Sequence, residues 1–255
     1  MAWQFAGLTK FSPQEDSFCC ELARDLPPHT EVLVYLPLYI GIRSIAIGLE
    51  KGRRCSRPLP QQTSQDHPPF YGTSITQGGC ASRPGMAYPA ILSRELDREV
   101  VQFGVFGQWA WECQVWLPAF AACPGWGRWW WTSSPTPAPR GCWKPTCQPF
   151  WMRCAAVRRS CRFWCFRQAG RQNAAGTAPK RNSCAGRAFS AAGGGTPEIP
   201  GDSFIWFASA RDMLETVAKE TTVDGVHLTD LGFWLLAQKL RPLLCRMLEQ
   251  GQTNE

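Results

Sequence analysis

No stretch of about 18 uninterrupted apolar residues occurs in the chain, so the sequence offers no membrane-spanning helix. Met1 to Lys10 lacks the basic start and long apolar run of a signal peptide. A cytoplasmic location is therefore the default expectation, and a disulfide reading of the cysteines is weakened. Acidic residues are scarce in one region. Between Gln108 and Thr196 a single acid, Glu112, stands against twelve basic residues, out of 20 acidic and 27 basic in the whole chain. The formal net charge of +7 belongs to that region, and the remainder is slightly acidic. The basic balance thus describes a segment and not a nucleic-acid-binding domain. Histidine is scarce too: the chain has 3, and none lies in the basic segment. Its cysteines, such as Cys142, Cys147, Cys154 and Cys161, follow no standard zinc spacing. No metal or cofactor is expected.

What the chain does have is enough length and apolar content for one sizeable α/β domain with a small addition, at 255 residues and 44% hydrophobic. The segment from Gln108 to Thr196 also holds ten of the 13 tryptophans and eight of the 13 cysteines, and is foreign in composition to its flanks. Glu31 to Tyr39 and Ile42 to Leu49, separated by Gly41, read as two strands of a small antiparallel layer. Lys51 to Pro69 reads as a linker. Phe70 to Gly79 is a strand end running into a glycine-flanked turn. Met86 to Leu96 has helical apolar spacing, and Glu99 to Phe106 reads as the next strand. Thr229-Asp-Leu-Gly opens a final amphipathic helix through Leu248, with Leu231, Trp234, Leu235, Leu240 and Leu244 expected on its apolar side.

A nucleophilic serine needs a base, an acid to orient the base, and donors for the oxyanion. Ser74 follows a strand in Tyr71-Gly-Thr-Ser and lands near the start of a helix. Asp224 and His227 stand three apart in Val223-Asp-Gly-Val-His-Leu-Thr-Asp-Leu-Gly232, so on one tight loop the carboxylate can reach one ring nitrogen while the other faces the serine. A Gly-x-Ser turn by itself is a common structural turn, and Asp-x-x-His before a helix is a common cap or surface pair. Their joint presence at opposite ends of the chain points to hydrolytic chemistry. Cys80 reads as a small packing residue, and His29 and His67 as surface histidines.

Tyr71-Gly-Thr-Ser-Ile-Thr-Gln-Gly-Gly-Cys-Ala-Ser-Arg-Pro-Gly-Met-Ala-Tyr-Pro-Ala-Ile-Leu92 and Val223 to Phe233 resemble the SGNH, or GDSL-type, hydrolases. The bacterial subgroup with a small β-sandwich before the catalytic domain is the nearest match, and Tyr35-Leu-Pro-Leu-Tyr39 resembles the last strands of that sandwich. The resemblance covers roughly Thr30 to Gln108 and Phe204 to Leu248. It implies a flavodoxin-like, three-layer α/β hydrolase domain over 70–255, a truncated sandwich remnant over 1–50 and a linker over 51–69. It implies ester hydrolysis of a small-molecule or carbohydrate ester, without metal or cofactor and without nucleic-acid or membrane partners. Carried onto matching positions, it makes Ser74 the nucleophile, Asp224 the orienting acid and His227 the base. The N–H groups of Ser74 and Gly107 become the oxyanion donors. The family's serine before that glycine is here Phe106, and the stretch 132–137, where its third-block asparagine belongs, reads Thr-Ser-Ser-Pro-Thr-Pro.

Reading each third codon base with the first two bases of the next codon restores a different middle. Trp129-Trp130-Trp131-Thr132 is then forced to Val-Val-Asp, preceded by Leu, Met or Val. Cys142-Trp143-Lys144 is forced to Leu-Glu, Phe150-Trp151-Met152 to Leu-Asp, and Phe163-Trp164-Cys165 to Leu-Val followed by Leu or Phe. Pro135-Thr136, four codons after the forced Asp, permits Asn. This hidden pattern of strand, helix and strand has a parallel α/β rhythm, which implies a frame shift beginning near Gln108 and corrected before Phe204. As written, the segment leads to the expectation of an impaired enzyme. The alternative is a non-catalytic carbohydrate- or partner-binding protein that uses the tryptophan-rich segment. Pro68-Pro69 stands where the first core strand should run, so that strand is expected to be short or distorted.

Overall fold

The computed structural model describes residues 3–10, 12, 14–56, 69–72, 74–104, 128–133, 162–167, 198–199, 202–209, 214 and 220–252. The chain divides into two units, Met1–Thr63 and Ser64–Glu255, with the division inside the stretch read as a linker.

The N-terminal unit corrects one expectation. Glu31 to Tyr39 and Ile42 to Leu49 form no strand. Val32, Leu33, Leu36, Ile45 and Ile47 are exposed, so no neighbouring apolar surface rewards the ordering of a ladder. A β-rich composition selects a strand only where the pleated face has something to cover.

The second unit is built on a six-stranded sheet. Its strands are β1 (Pro69–Gly72), β2 (Val101–Gly104), β3 (Arg128–Ser133), β4 (Arg162–Arg167), β5 (Glu198–Ile199) and β6 (Asp202–Ser209). They lie in the order β2-β1-β3-β4-β6-β5. All neighbours are parallel except β5 and β6. Without the short β5, this is a doubly wound α/β order, which reverses direction at β1. β1 has four residues with Pro69 first, where a missing ladder donor does least harm. β3 and β4 fall on the two tryptophan-bearing runs whose alternative codon reading is rich in Val and Leu. The rest of the segment from Gln108 to Thr196, and Gly107 just before it, lie outside the described residues.

Helix α1 (Ser74–Gln77) follows β1 directly, and α2 (Tyr88–Leu96) follows a short 3₁₀ turn over Pro84–Met86. Pro89 occupies the first turn of α2, where its lacking N–H costs nothing. Asp97 ends α2 in the left-handed region at φ 50, its N–H donating to the Ser93 carbonyl. The long α3 (Asp230–Gln252) begins at Thr229, whose hydroxyl accepts the Gly232 N–H at 3.1 Å and caps the helix. No helix among the described residues is long and apolar enough to cross a membrane.

The core gathers Phe70 of β1, Ile75 of α1, Tyr88, Ile91 and Leu92 of α2, and an α3 face of Phe233, Leu236, Ala237, Leu240 and Leu244. The expected apolar side of α3 holds at Leu240 and Leu244, which are buried, and at Leu235, which packs partly against the core, but not at Leu231 and Trp234, which are exposed while Phe233 and Leu236 are buried. Residues 233–237 are apolar throughout, so periodicity alone allows several faces, and packing on α2 selects one. Tyr88 ties these parts together. Its ring meets Phe70 edge-on at 5.6 Å, and its hydroxyl pairs with the buried Thr76 hydroxyl at 3.0 Å. The helix after β1 is thereby anchored two residues from Ser74.

Candidate active site

Ser74 is the first residue of α1, at the carboxyl end of β1. β1 pairs with β2 on one side and β3 on the other, so this is the topological switch point at which doubly wound sheets bind ligands. The α1 turn closes tightly, with the Gly78 and Gly79 N–H groups both donating to the Ser74 carbonyl, at 3.0 and 2.6 Å. A side chain at Gly79 would stand 2.9 Å from that carbonyl and 3.2 Å from Cδ2 of His227. The absence of one lets the histidine ring lie against the turn.

The loop from Thr221 to Thr229 carries the other half. The Val223 N–H donates to the His227 carbonyl and the Thr229 N–H to the Thr221 carbonyl, both at 2.9 Å. Inside this closed loop one Asp224 oxygen, Oδ1, accepts the N–H groups of Val226 and His227 at 2.8 and 2.7 Å. Its other oxygen, Oδ2, lies 2.6 Å from His227 Nδ1. One carboxylate therefore both shapes the loop and aims the ring. Burial works against the Asp224 charge, but the His227 side chain and the N–H groups of His227 and Val226 outweigh it and hold the carboxyl down at about 2. With Nδ1–H given to Asp224, Nε2 is left as an acceptor, and it stands 3.1 Å from Ser74 Oγ across 153 residues of sequence.

The structure thus brings together Ser74, Asp224 and His227. Ser74 and His227 are half-buried, while Asp224 is more open, with 49% of its side chain exposed. Gly107, expected as an oxyanion donor, lies outside the described residues. Among the described residues no group of three or more His, Cys, Asp or Glu side chains converges as a metal cage. Cys80 is exposed and takes no part in the relay.

Residues 69–116, which include β1, the nucleophile turn and α2, match the GDSL-like lipase/acylhydrolase family. A solved structure named as a GDSL-like lipase, from Bacteroides ovatus ATCC 8483, is 24% identical, with a TM-score of 0.52 over 72% of this chain and 54% of that one. The present chain therefore spans about half that protein's length, and the likeness concerns the fold. A two-domain esterase active on acetylated mannans is 13% identical, with a TM-score of 0.42 over 75% of this chain and 51% of that one. A family two carbohydrate esterase from Clostridium thermocellum, in complex with cellohexaose, is 12% identical, with a TM-score of 0.45 over 76% of this chain and 67% of that one. No curated protein sequence matches the chain.

Two contributors to this candidate site are not disclosed by the sequence as site residues. Gly79 was seen only as part of a turn, and Asp230 only as the opening of a helix. The first matters because of what approaches it. The second has a partner 148 residues away that no local pattern discloses.

Proposed function

We propose that this chain hydrolyses esters through Ser74, with His227 as the base and Asp224 as its orienter. The observation that carries the reading is the continuous relay from the Asp224 carboxylate, 2.6 Å to Nδ1 and 3.1 Å from Nε2 to Ser74 Oγ. Such a relay activates a serine by giving its proton a place to go. As Ser74 Oγ bonds to the ester carbonyl carbon, its proton passes to His227 Nε2. Collapse of the tetrahedral adduct breaks the bond to the alcohol, which leaves with that proton. Water then repeats the sequence on the acyl-serine, releasing the acid and restoring Ser74.

Throughout, Asp224 stays charged and balances the imidazolium. The N–H groups of Ser74 and Gly107 serve as oxyanion donors, the former because helix first-turn N–H groups lack intrahelical partners. The substrate class is a small-molecule ester, with acylated carbohydrates included. Hydrolysis of p-nitrophenyl acetate that disappears in Ser74→Ala is the expected result. Equal turnover by the substituted chain would overturn the reading. The relay also favours catalysis over a purely carbohydrate-binding role.

The same reading holds that the segment from Gln108 to Thr196 is encoded out of frame and that the chain as written is slower than its frame-restored counterpart. Loss of one oxyanion donor costs ~10²–10³ in rate, and residues 132–137 hold no asparagine. Resequencing the DNA for residues 100 to 205 should reveal two compensating insertions or deletions. A clean read in the present frame would sink this part. Restored codons should raise the Ser74-dependent rate.

A further inference from the structure

Ser74 and His227 must meet to within a fraction of an ångström, yet they come from segments 153 residues apart. Eight residues after Ser74 and three after His227, the same two segments meet again. Asp230, the first residue of α3, accepts the Ser82 N–H through Oδ1 at 2.9 Å and the Ser82 hydroxyl through Oδ2 at 2.5 Å. Both carboxylate oxygens are engaged by one residue, so the contact resists both sliding and rotation. The carboxylate also lies in the first turn of α3, where the N-terminal end of the helix favours negative charge and holds the side chain in place.

We propose that Asp230 is a positioning residue for the relay: by gripping Ser82 it sets the register between the nucleophile turn and the histidine loop. The inference rests on the serine-hydrolase reading above. The turn it grips is the one against which His227 leans at Gly79, and Ser82 lies three residues beyond that glycine. On the other side, Thr229 caps α3 and its N–H closes the histidine loop onto Thr221, so movement of the α3 start moves His227 with it. The chain between Gly78 and Ser82 is short, with the Ala81 N–H donating to the Gly78 carbonyl at 3.0 Å. The grip therefore reaches Ser74 through few soft torsions.

The test uses the full chain and the His227 ring resonances, assigned by their loss in His227→Gln from a protein with 3 histidines. In the parent, Ser74→Ala should displace these resonances, because Oγ stands 3.1 Å from Nε2. With Asp230→Ala in place, that displacement should shrink or vanish, and Ser82→Ala, a milder change at an exposed residue, should reduce it in part. Asp230→Asn can accept the Ser82 N–H and pair with its hydroxyl, so it should restore the displacement. In p-nitrophenyl acetate hydrolysis kcat should fall ~10²-fold in Asp230→Ala, with little change in KM, as expected for misplacement near an ångström; Asp230→Asn should recover most of it.

A full Ser74→Ala displacement persisting in the Asp230→Ala background would overturn the positioning role and leave the esterase reading intact. So would an Asn variant no better than Ala. No displacement in the parent would instead overturn the relay itself, and this inference with it. Should Asp230→Ala fail to fold, the Ser82→Ala and Asp230→Asn comparison decides by the same readout.

Discussion

The Asp224 carboxylate holds His227 twice, at ring Nδ1 from 2.6 Å and at the backbone N–H from 2.7 Å. Aiming the imidazole and closing its loop are consequently one interaction. Asp224→Asn should separate the two. The amide oxygen can still accept backbone N–H groups, but its NH₂ opposes Nδ1–H and favours the wrong tautomer. The expected outcome is a fall in kcat of ~10²–10⁴ with the fold retained, read by ester hydrolysis beside circular dichroism.

Stability should respond to acid through the same residue. The Asp224 carboxyl is lowered from 3.8 to about 2 in the folded chain. A depressed carboxyl contributes stability that is complete above its unfolded value and is lost as pH falls through the folded one. The window therefore runs from about 4 down to about 2. With the side chain 49% exposed, solvent screening limits the contribution to roughly 1 kcal/mol or less. Melting curves of the parent and Asp224→Asn should converge across that window; a constant gap would contradict it.

Gly79→Ala should slow the proposed ester hydrolysis without unfolding the chain. The added methyl would meet the Ser74 carbonyl at 2.9 Å and the His227 ring at 3.2 Å, so the turn backbone at Ser74 must shift and the ring must give a little. A fall in kcat of ~10-fold or more is expected, by the steep dependence of rate on alignment, with KM nearly unchanged. Steady-state kinetics on p-nitrophenyl acetate check this.

Tyr88→Phe removes the hydroxyl paired with Thr76 at 3.0 Å while keeping the ring on Phe70. A loss of about 1 kcal/mol in urea unfolding is expected. Because Thr76 lies two residues after Ser74, a modest loss of rate should accompany it.

Two neighbouring substitutions on α3 should differ sharply. Phe233 is fully buried, and Phe233→Ala should cost about 3–5 kcal/mol. Trp234 is exposed, and Trp234→Ala should stay within about 0.5 kcal/mol. Denaturant midpoints of the two variants measure the phase of the helix directly.

Legibility followed the range of the interactions concerned. Asp224 and His227 share a nine-residue loop, and Ser74 sits on a strand-to-helix turn with its glycine beside it, so their types and spacing announce chemistry before any fold is known. Helix α3 was legible as a helix, since Thr229 and the apolar density of 230–248 are local signals. Its buried face was legible at Leu240 and Leu244 but not in the first turns, because five successive apolar residues satisfy more than one phase. The segments 31–39 and 42–49 show the converse failure: their strand-like composition found no surface to cover.

The order of residues alone marked Ser74, Asp224 and His227 as candidates and showed that a helix would follow the histidine, because helix caps, tight turns and an i, i+3 carboxylate–imidazole pair are determined within a few bonds. The fold settled what those side chains could reach. The 3.1 Å approach of Ser74 to His227, the grip of Asp230 on Ser82 and the face of α3 that turns inward all join residues remote in sequence. Such contacts depend on how strands order in a sheet and helices pack upon one another, and no local propensity encodes a distance across 148 residues.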